Sequence, residues 1–129
     1  MEVNKRQVTI YYKPENKKDK NTYNLAMQLS EHILDIDVTK DMPNERQLLE
    51  MLDRLKRKAT DLIDKDSNSY KAKFEDHDLS DTDWLKALVA NPDMLYTPIV
   101  FYGDRGMLVD TPSRVLDLDP THGTNNLKT

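Results

Sequence analysis

The chain lacks cysteine and has few of the residues from which small catalytic motifs are usually built. Its 129 residues include no cysteine, three histidines, three glycines and one tryptophan. Without cysteine, disulfides, thiolate metal ligands and every mechanism that needs a protein thiol are excluded. The histidines share no motif, so their spacing indicates neither a metal site nor a catalytic base; they are His32, His77 and His122.

Long hydrophobic runs are also absent. The longest apolar runs are far shorter than the ~20 residues of a membrane-spanning helix, so no membrane partner is expected. The amino-terminal sequence MEVNKRQ has no apolar stretch behind it, and we therefore expect no signal peptide. The simplest location that follows is the cytoplasm.

Length and charge limit the class of protein further. A chain of this length predicts a single domain, and 33% charged with 37% apolar residues predicts a soluble globular protein. The formal net charge of −4 disfavours a general nucleic-acid binder, because such proteins are normally basic. A local basic patch remains compatible with this balance.

The amino-terminal part of the sequence alternates between strand and helix patterns. The stretch QVTIYY at 7–12 is β-branched and aromatic and ends before Pro14, which is typical of a strand. Apolar residues then recur at helical spacing from Asp19, which we expect to cap the helix. Leu34–Lys40 has the alternation of a second strand. This strand–helix–strand order predicts parallel pairing of the two strands.

The remainder of the sequence contains a helical block and then a strand pair. A long helix is predicted from Asn44 to about Leu62, and a capping-box pattern at Ser80 begins another helix. Two apolar runs flank Gly103-Asp104-Arg105-Gly106, which predicts a β-hairpin. Ser113–Leu118 has the pattern of a short closing helix.

We therefore predict an α/β protein with a thioredoxin-like fold. Its expected order is β-α-β, a helical insertion at about 44–94, a β-hairpin and a carboxy-terminal helix. All of this is expected within one domain spanning 1–129, with a flexible tail at about 119–129.

Three stretches of the sequence lie in the order found in one family. They are TIYYKP with NT at the following helix start, LSDTDWLKALVANPDMLYTPIVF, and GMLVDTPSRVLDLD. Together they resemble the arsenate reductases of the ArsC type and their Spx relatives, which have a thioredoxin-like fold. The resemblance covers most of the chain, although no single stretch is diagnostic.

The departures from the family pattern concern the reacting groups. The nucleophilic cysteine of the family falls at Asn16, whose carboxamide is not a nucleophile toward an oxyanion. Family arginines fall at Lys20, Thr97 and Thr111, and a further arginine falls loosely at Thr60. Lysine supplies only a point charge and threonine supplies none, so a bidentate arginine cage is not expected.

One family residue is retained at Pro98. The resemblance implies that the Thr97–Pro98 peptide bond is cis and faces the loop after the first strand. A structural role at the strand entry is sufficient to explain this proline, and a ligand-facing role is the alternative.

Four lysines are concentrated in the loop that follows the first strand. They are Lys13, Lys17, Lys18 and Lys20. At a helix amino terminus these charges would favour a bound anion or an acidic partner. However, Glu15 and Asp19 partly cancel the field, and the loop has no glycine to let backbone amides surround a phosphate. A solvated surface loop is therefore the simpler interpretation.

Other residue clusters have structural explanations. The acidic stretch Glu75–Asp78 precedes a helix cap and is expected to be an exposed loop, so no metal site and no cofactor are predicted. Trp84 has helical spacing with neighbouring leucines and is expected to pack in a core. Ser113 has no visible base and is not expected to act as a nucleophile.

The resulting prediction is a non-catalytic ArsC/Spx-like protein that serves as a protein-binding or regulatory module. The alternative is a small-anion binding protein that uses the Lys13–Lys20 loop for a phosphate-like ligand. An enzyme with unrelated chemistry in the same cleft is a third hypothesis. Thiol-based arsenate reduction of the glutaredoxin type is not expected, and such a label would reflect ancestry.

Overall fold

The computed structural model describes residues 7–120. The predicted flexible tail lies almost entirely outside these residues. The chain divides into two compact units, which we describe separately. The sheet unit consists of the residues up to Asp37 and from Thr97 onward, and the helical unit is Val38–Tyr96. The predicted insertion at about 44–94 falls within the helical unit, and the prediction of a single domain stays a prediction.

The sheet unit contains four strands in the order β2-β1-β3-β4. The strands are β1 (Val8–Tyr12), β2 (Ile33–Asp37), β3 (Ile99–Tyr102) and β4 (Arg105–Leu108). Strand β1 pairs in parallel with β2 and antiparallel with β3, and β3 pairs antiparallel with β4. The predicted parallel pairing and the predicted hairpin are therefore both confirmed.

Two boundaries in the sheet differ from the sequence prediction. Strand β2 ends at Asp37 and not at Lys40, because its ladder partner β1 ends at Tyr12. The hairpin turn consists of Gly103 and Asp104 alone, since Arg105 already pairs with Tyr102. Gly103 has φ 61°, a left-handed conformation that glycine adopts at little cost.

One face of the sheet is covered by helix α1 (Lys17–Ala26) and by a 3₁₀ helix, Pro112–Leu118. The closing helix that the sequence predicts is therefore present in 3₁₀ form. The core between these elements is made of small and branched apolar side chains. They are Val8, Ile10, Ala26, Val100, Val109, Val115 and Leu118. This packing holds α1, and hence the loop before it, in a fixed position against the sheet.

The helical unit contains α2 (Glu45–Leu55) and α3 (Asp81–Ala90). Short 3₁₀ helices at Ala59–Leu62 and Pro92–Met94 and a π-helical turn at Tyr70–Phe74 complete it. Helix α2 begins with a capping box in which Asn44 and Gln47 satisfy each other's backbone N–H groups.

Helix α2 is shorter than predicted. It ends at Leu55 because Lys56 adopts a left-handed conformation with φ 55°. The backbone N–H of Arg57 then donates to the carbonyl of Leu52 at 3.2 Å, the 6→1 bond of a Schellman-type end. The apolar spacing continues to Leu62 because Ala59 and Leu62 are still buried, but they belong to the 3₁₀ helix.

None of the helices between residues 7 and 120 is long and apolar enough to cross a membrane.

Candidate functional site

The loop between β1 and α1 is the position where the family resemblance places the reacting thiol. The loop is closed by a turn in which the backbone N–H of Asn16 donates to the carbonyl of Lys13 at 3.0 Å. Pro14 occupies the second position of this turn, which suits its fixed φ. Because Pro14 also lacks an N–H, the strand ladder cannot continue past it.

Asn16 is the N-cap of α1. Its side-chain oxygen accepts a hydrogen bond from the backbone N–H of Asp19 at 3.2 Å, and its backbone is extended. The sequence prediction that Asp19 caps this helix is therefore wrong. Asparagine fits this position well because its short carboxamide reaches the third helical N–H. The residue at the former thiol position thus has a structural role.

Asp19 lies in the first turn of α1 and is fully buried. One carboxylate oxygen, Oδ2, accepts the backbone N–H of Lys13 at 2.8 Å. The other, Oδ1, has no hydrogen-bond partner within the described residues. A carboxylate at this place supplies from within the chain the negative charge that a helix amino terminus favours. It therefore opposes the binding of an external anion at the same point.

The four lysines of the loop do not share one environment. Lys17 and Lys20 are exposed, whereas Lys13 and Lys18 are half-buried. Of these four lysines, only Lys20 lines a cleft between the end of β1 and helix α1. The grouping that the sequence suggested is thus distributed around the helix start.

The other positions at which the resemblance places active-site residues, Thr97, Pro98 and Thr111, lie in the second sequence segment of the sheet unit. Thr97 is buried, with 6% of its surface exposed, and the Thr97–Pro98 peptide bond is cis, as predicted. The carbonyl of Pro98 accepts the backbone N–H of Val109 at 3.0 Å. Thr111 is exposed and precedes the 3₁₀ helix Pro112–Leu118. Neither threonine can provide the charge of an arginine.

A pair of stacked tyrosines, which sequence reasoning missed, lies beside this loop. The rings of Tyr12 and Tyr23 are 5.4 Å apart between centroids, with 22° between their planes. The Tyr12 hydroxyl donates to Oδ2 of Asp35 at 3.0 Å. Burial, together with the hydrogen bond and the negative charge of Asp35, raises the pKa of Tyr12 to about 12. The Tyr12 phenol therefore stays protonated at neutral pH.

The tyrosine pair forms one wall of a cleft of about 270 Å³. We call it the tyrosine cleft; it is lined by Tyr12, Pro14, Lys20, Tyr23 and Asn24. The spacing of Lys20, Tyr23 and Asn24 already places them on one face of α1. What the sequence could not show is that the end of β1 lies against that face.

The acidic stretch at 75–78 and Trp84, both in the helical unit, have the environments that the sequence predicted. Residues 75–78 are all exposed. Trp84 is buried and packs against Tyr70 and Phe74, with ring centroids 6.3 and 5.9 Å away. Residues 7–120 contain no group of three or more histidine, aspartate or glutamate side chains placed to hold a metal ion.

The fold defines the class of the protein before any relative is considered. A β-α-β unit, a β-hairpin entered through a cis proline and a closing helix form an α/β, thioredoxin-like architecture of the ArsC type. Structural comparison confirms this class. A candidate arsenate reductase from Yersinia pestis superimposes with a TM-score of 0.78 at 27% identity, covering 85% of this chain and 98% of the other.

More distant structures share the same fold. The arsenate reductase from Vibrio cholerae matches with a TM-score of 0.78 at 22% identity, over 88% of this chain and 98% of its own. An ArsC-related protein from Brucella melitensis matches with a TM-score of 0.61 at 16% identity, over 84% and 90%. At these identities the likeness concerns the fold alone.

Sequence comparison identifies a relative of nearly the same length. The uncharacterized protein YfgD of Escherichia coli K12 is 28% identical over 117 residues, which cover 88% of this chain and 97% of YfgD. No family model matches the chain. The predicted resemblance is confirmed by the structural comparison: the chain is similar to arsenate reductases of the ArsC type over most of its length, and it has no cysteine.

Proposed function

We propose that this ArsC-like chain is non-catalytic and acts by binding a partner protein. The observation that carries the proposal is the state of the former thiol position. Asn16 has no reactive group, and its carboxamide is engaged in capping α1. The loop is retained as a rigid structural element, although the thiol chemistry that it serves in a reductase has no acting group here.

The charges around the loop support a protein partner over a small anion. A phosphate-like ion bound at the amino-terminal N–H groups of α1 would meet the buried carboxylate of Asp19, which already accepts the Lys13 N–H. The negative charge of the ion and that of the carboxylate would repel each other. The exposed side chains of Lys17 and Lys20 point their charge to the surface, where an acidic group on another protein can reach it.

Affinity capture with the tagged full-length chain tests this proposal. We expect one protein to be recovered from native lysate at near-equal stoichiometry, at both low and moderate salt. Replacing Lys17 and Lys20 together with glutamate should abolish the recovery. The matched control replaces Lys71 and Lys86, two exposed lysines of the helical unit, with glutamate. It changes the net charge by the same amount, and the partner should still be recovered because these lysines lie outside the loop.

The small-anion alternative has a separate outcome. If no protein is recovered specifically, and millimolar phosphate or arsenate raises the melting temperature in a Lys20-dependent manner, the proposal is wrong. A stabilising anion acts by mass action on the folded state, so its effect grows with concentration. An unchanged melting temperature across the anion series is the result that agrees with a protein partner.

A further inference from the structure

The tyrosine cleft combines two features that recognise a ligand. Its walls are apolar and aromatic, since Tyr12 and Tyr23 stack on each other and Pro14 lies beside them. Both rings are half-buried, so each keeps surface toward the cleft or solvent. Exposed faces and edges of aromatic rings bind other rings with favourable offset or edge-to-face geometry.

The cleft is lined by the polar side chains of Lys20 and Asn24, and the carboxylates of Asp35 and Asp37 act on Tyr12 in its wall. Lys20 and Asn24 are exposed, and neither side chain has a hydrogen-bond or ion-pair partner within the described residues. The Tyr12 hydroxyl, by contrast, already donates to Asp35. The groups left to bind a ligand are therefore the Lys20 ammonium, the Asn24 carboxamide and the Tyr23 hydroxyl, all of which can donate to a carboxylate.

The size of the cleft indicates what kind of molecule can carry that carboxylate. Sites for drug-sized ligands have volumes of roughly 300–1,000 Å³. The tyrosine cleft, at about 270 Å³, lies just below this range. It accommodates one or two side chains of a protein segment better than a complete cofactor or metabolite.

The charge of the whole chain limits the acidic character of that segment. The formal net charge is −4, so a strongly acidic run would be repelled by the rest of the molecule. A single acidic residue placed at Lys20 gains the local attraction without this cost. The position of Lys20 is well defined, because α1 is capped by Asn16 and packed through Ala26 into the core.

We propose that the tyrosine cleft binds a segment of a partner protein in which one aspartate or glutamate adjoins an aromatic residue. The aromatic side chain packs against Tyr12, Tyr23 and Pro14, and the carboxylate pairs with Lys20 and Asn24. This inference rests on the proposed function, since it names the surface through which the chain contacts its partner.

Nuclear magnetic resonance titration of the full-length chain with short capped peptides tests the cleft directly. The probe is N-acetyl-Glu-Tyr-amide, and we expect its binding to shift the backbone signals of Lys20, Tyr23 and Asn24. The matched peptides N-acetyl-Gln-Tyr-amide and N-acetyl-Glu-Ala-amide lack the charge and the ring, respectively. Each should bind about three- to fivefold more weakly, which is the factor expected for one exposed ion pair or one ring contact.

A protein variant completes the test. Lys20→Gln should lower the affinity for the Glu-Tyr peptide to that for the Gln-Tyr peptide. The affinity for the Gln-Tyr peptide itself should not change. The control Lys86→Gln removes an equally exposed lysine from α3 and should have no effect. Equal binding of the Glu and Gln peptides, or signal shifts confined to other residues, would overturn the inference. Tighter binding of free 4-hydroxyphenylacetate than of the peptide would overturn the choice of a protein segment.

The result is separable from the fate of the proposed function. If a partner is captured equally by the wild-type and Lys20→Gln chains, and the peptides do not bind the cleft, this inference fails while partner binding stands. If no partner is captured at all, the proposed function fails first.

Discussion

Asn16 stabilises both the start of α1 and the turn before it. Its carboxamide caps α1 through the N–H of Asp19, and its own N–H closes the turn at Lys13. Asparagine is among the best N-cap residues, because its short side chain presents an oxygen to the free N–H groups of the first turn. The residue found at this position therefore favours a stable helix start over a reactive group.

The cap predicts a measurable change in stability. Asn16→Ala should lower the free energy of unfolding by about 1 kcal/mol, because the N–H of Asp19 loses its acceptor. Asn16→Asp keeps an acceptor at the same place and should lose much less. Equilibrium unfolding in urea measures both, with equal slopes expected for the two variants. A stability of Asn16→Ala equal to that of wild type would contradict the role assigned to the cap.

Tyr12 predicts a pH dependence in the alkaline range. The pKa of Tyr12 rises from 10.0 to about 12 in the folded chain, chiefly through burial and then through Asp35. The phenol is protonated in both states below pH 10. Between pH 10 and 12 the unfolded chain ionises first, so the stabilisation from this group is lost as pH rises through the folded pKa.

Spectrophotometric titration of the tyrosines checks this assignment. A tyrosine ionisation step near pH 12 should be present, and Tyr12→Phe should remove it. Asp35→Asn should move the step to lower pH without abolishing the shift, because burial is the larger cause. A high-pH step that survives in Tyr12→Phe would assign it to another residue.

Among the elements, α2 is the one whose end the sequence misplaced by the most residues, since the helix ends at Leu55 and not near Leu62. The apolar repeat from Leu48 to Leu62 has helical spacing throughout, so the pattern alone cannot place a boundary within it. The break depends on the left-handed backbone of Lys56, a position that glycine normally occupies at a helix end. Sequence reasoning had no glycine or proline signal to use there.

Lys56 offers a direct test at this scale. Lys56→Gly should raise the free energy of unfolding by up to about 1 kcal/mol, because glycine adopts the left-handed conformation without the clash of a Cβ atom. Lys56→Ala keeps the Cβ and serves as the control, with no comparable gain expected. Thermal unfolding of the two variants distinguishes them. Equal melting temperatures would mean that the end of α2 carries no such strain.

The sheet elements were predicted more accurately, for a physical reason. Val8–Tyr12 and the hairpin runs are short, apolar and bounded by Pro14 or Gly103, so local signals determine their type and, for β1, its end at Tyr12. The tyrosine cleft could not be predicted in this way. It depends on β1 lying against α1, which brings together residues such as Tyr12 and Tyr23 that no local pattern connects.

At the scale of the whole molecule, an ArsC-type fold is present in a chain that has no thiol. The sheet order, the cis Thr97–Pro98 bond and the match to the Yersinia pestis structure show the retained fold. At the positions where the family resemblance places the reacting groups, Asn16 caps a helix, Thr97 is buried and Thr111 is exposed.

Arsenate reduction by the purified chain, measured in the presence of glutathione and glutaredoxin, tests whether this fold can reduce arsenate without a thiol of its own. The purified chain should show no turnover above the rate without protein, because no thiol is available to form the mixed disulfide. The arsenate reductase from Vibrio cholerae provides the control assayed alongside it. Saturable turnover by the purified chain, proportional to its concentration, would contradict the account.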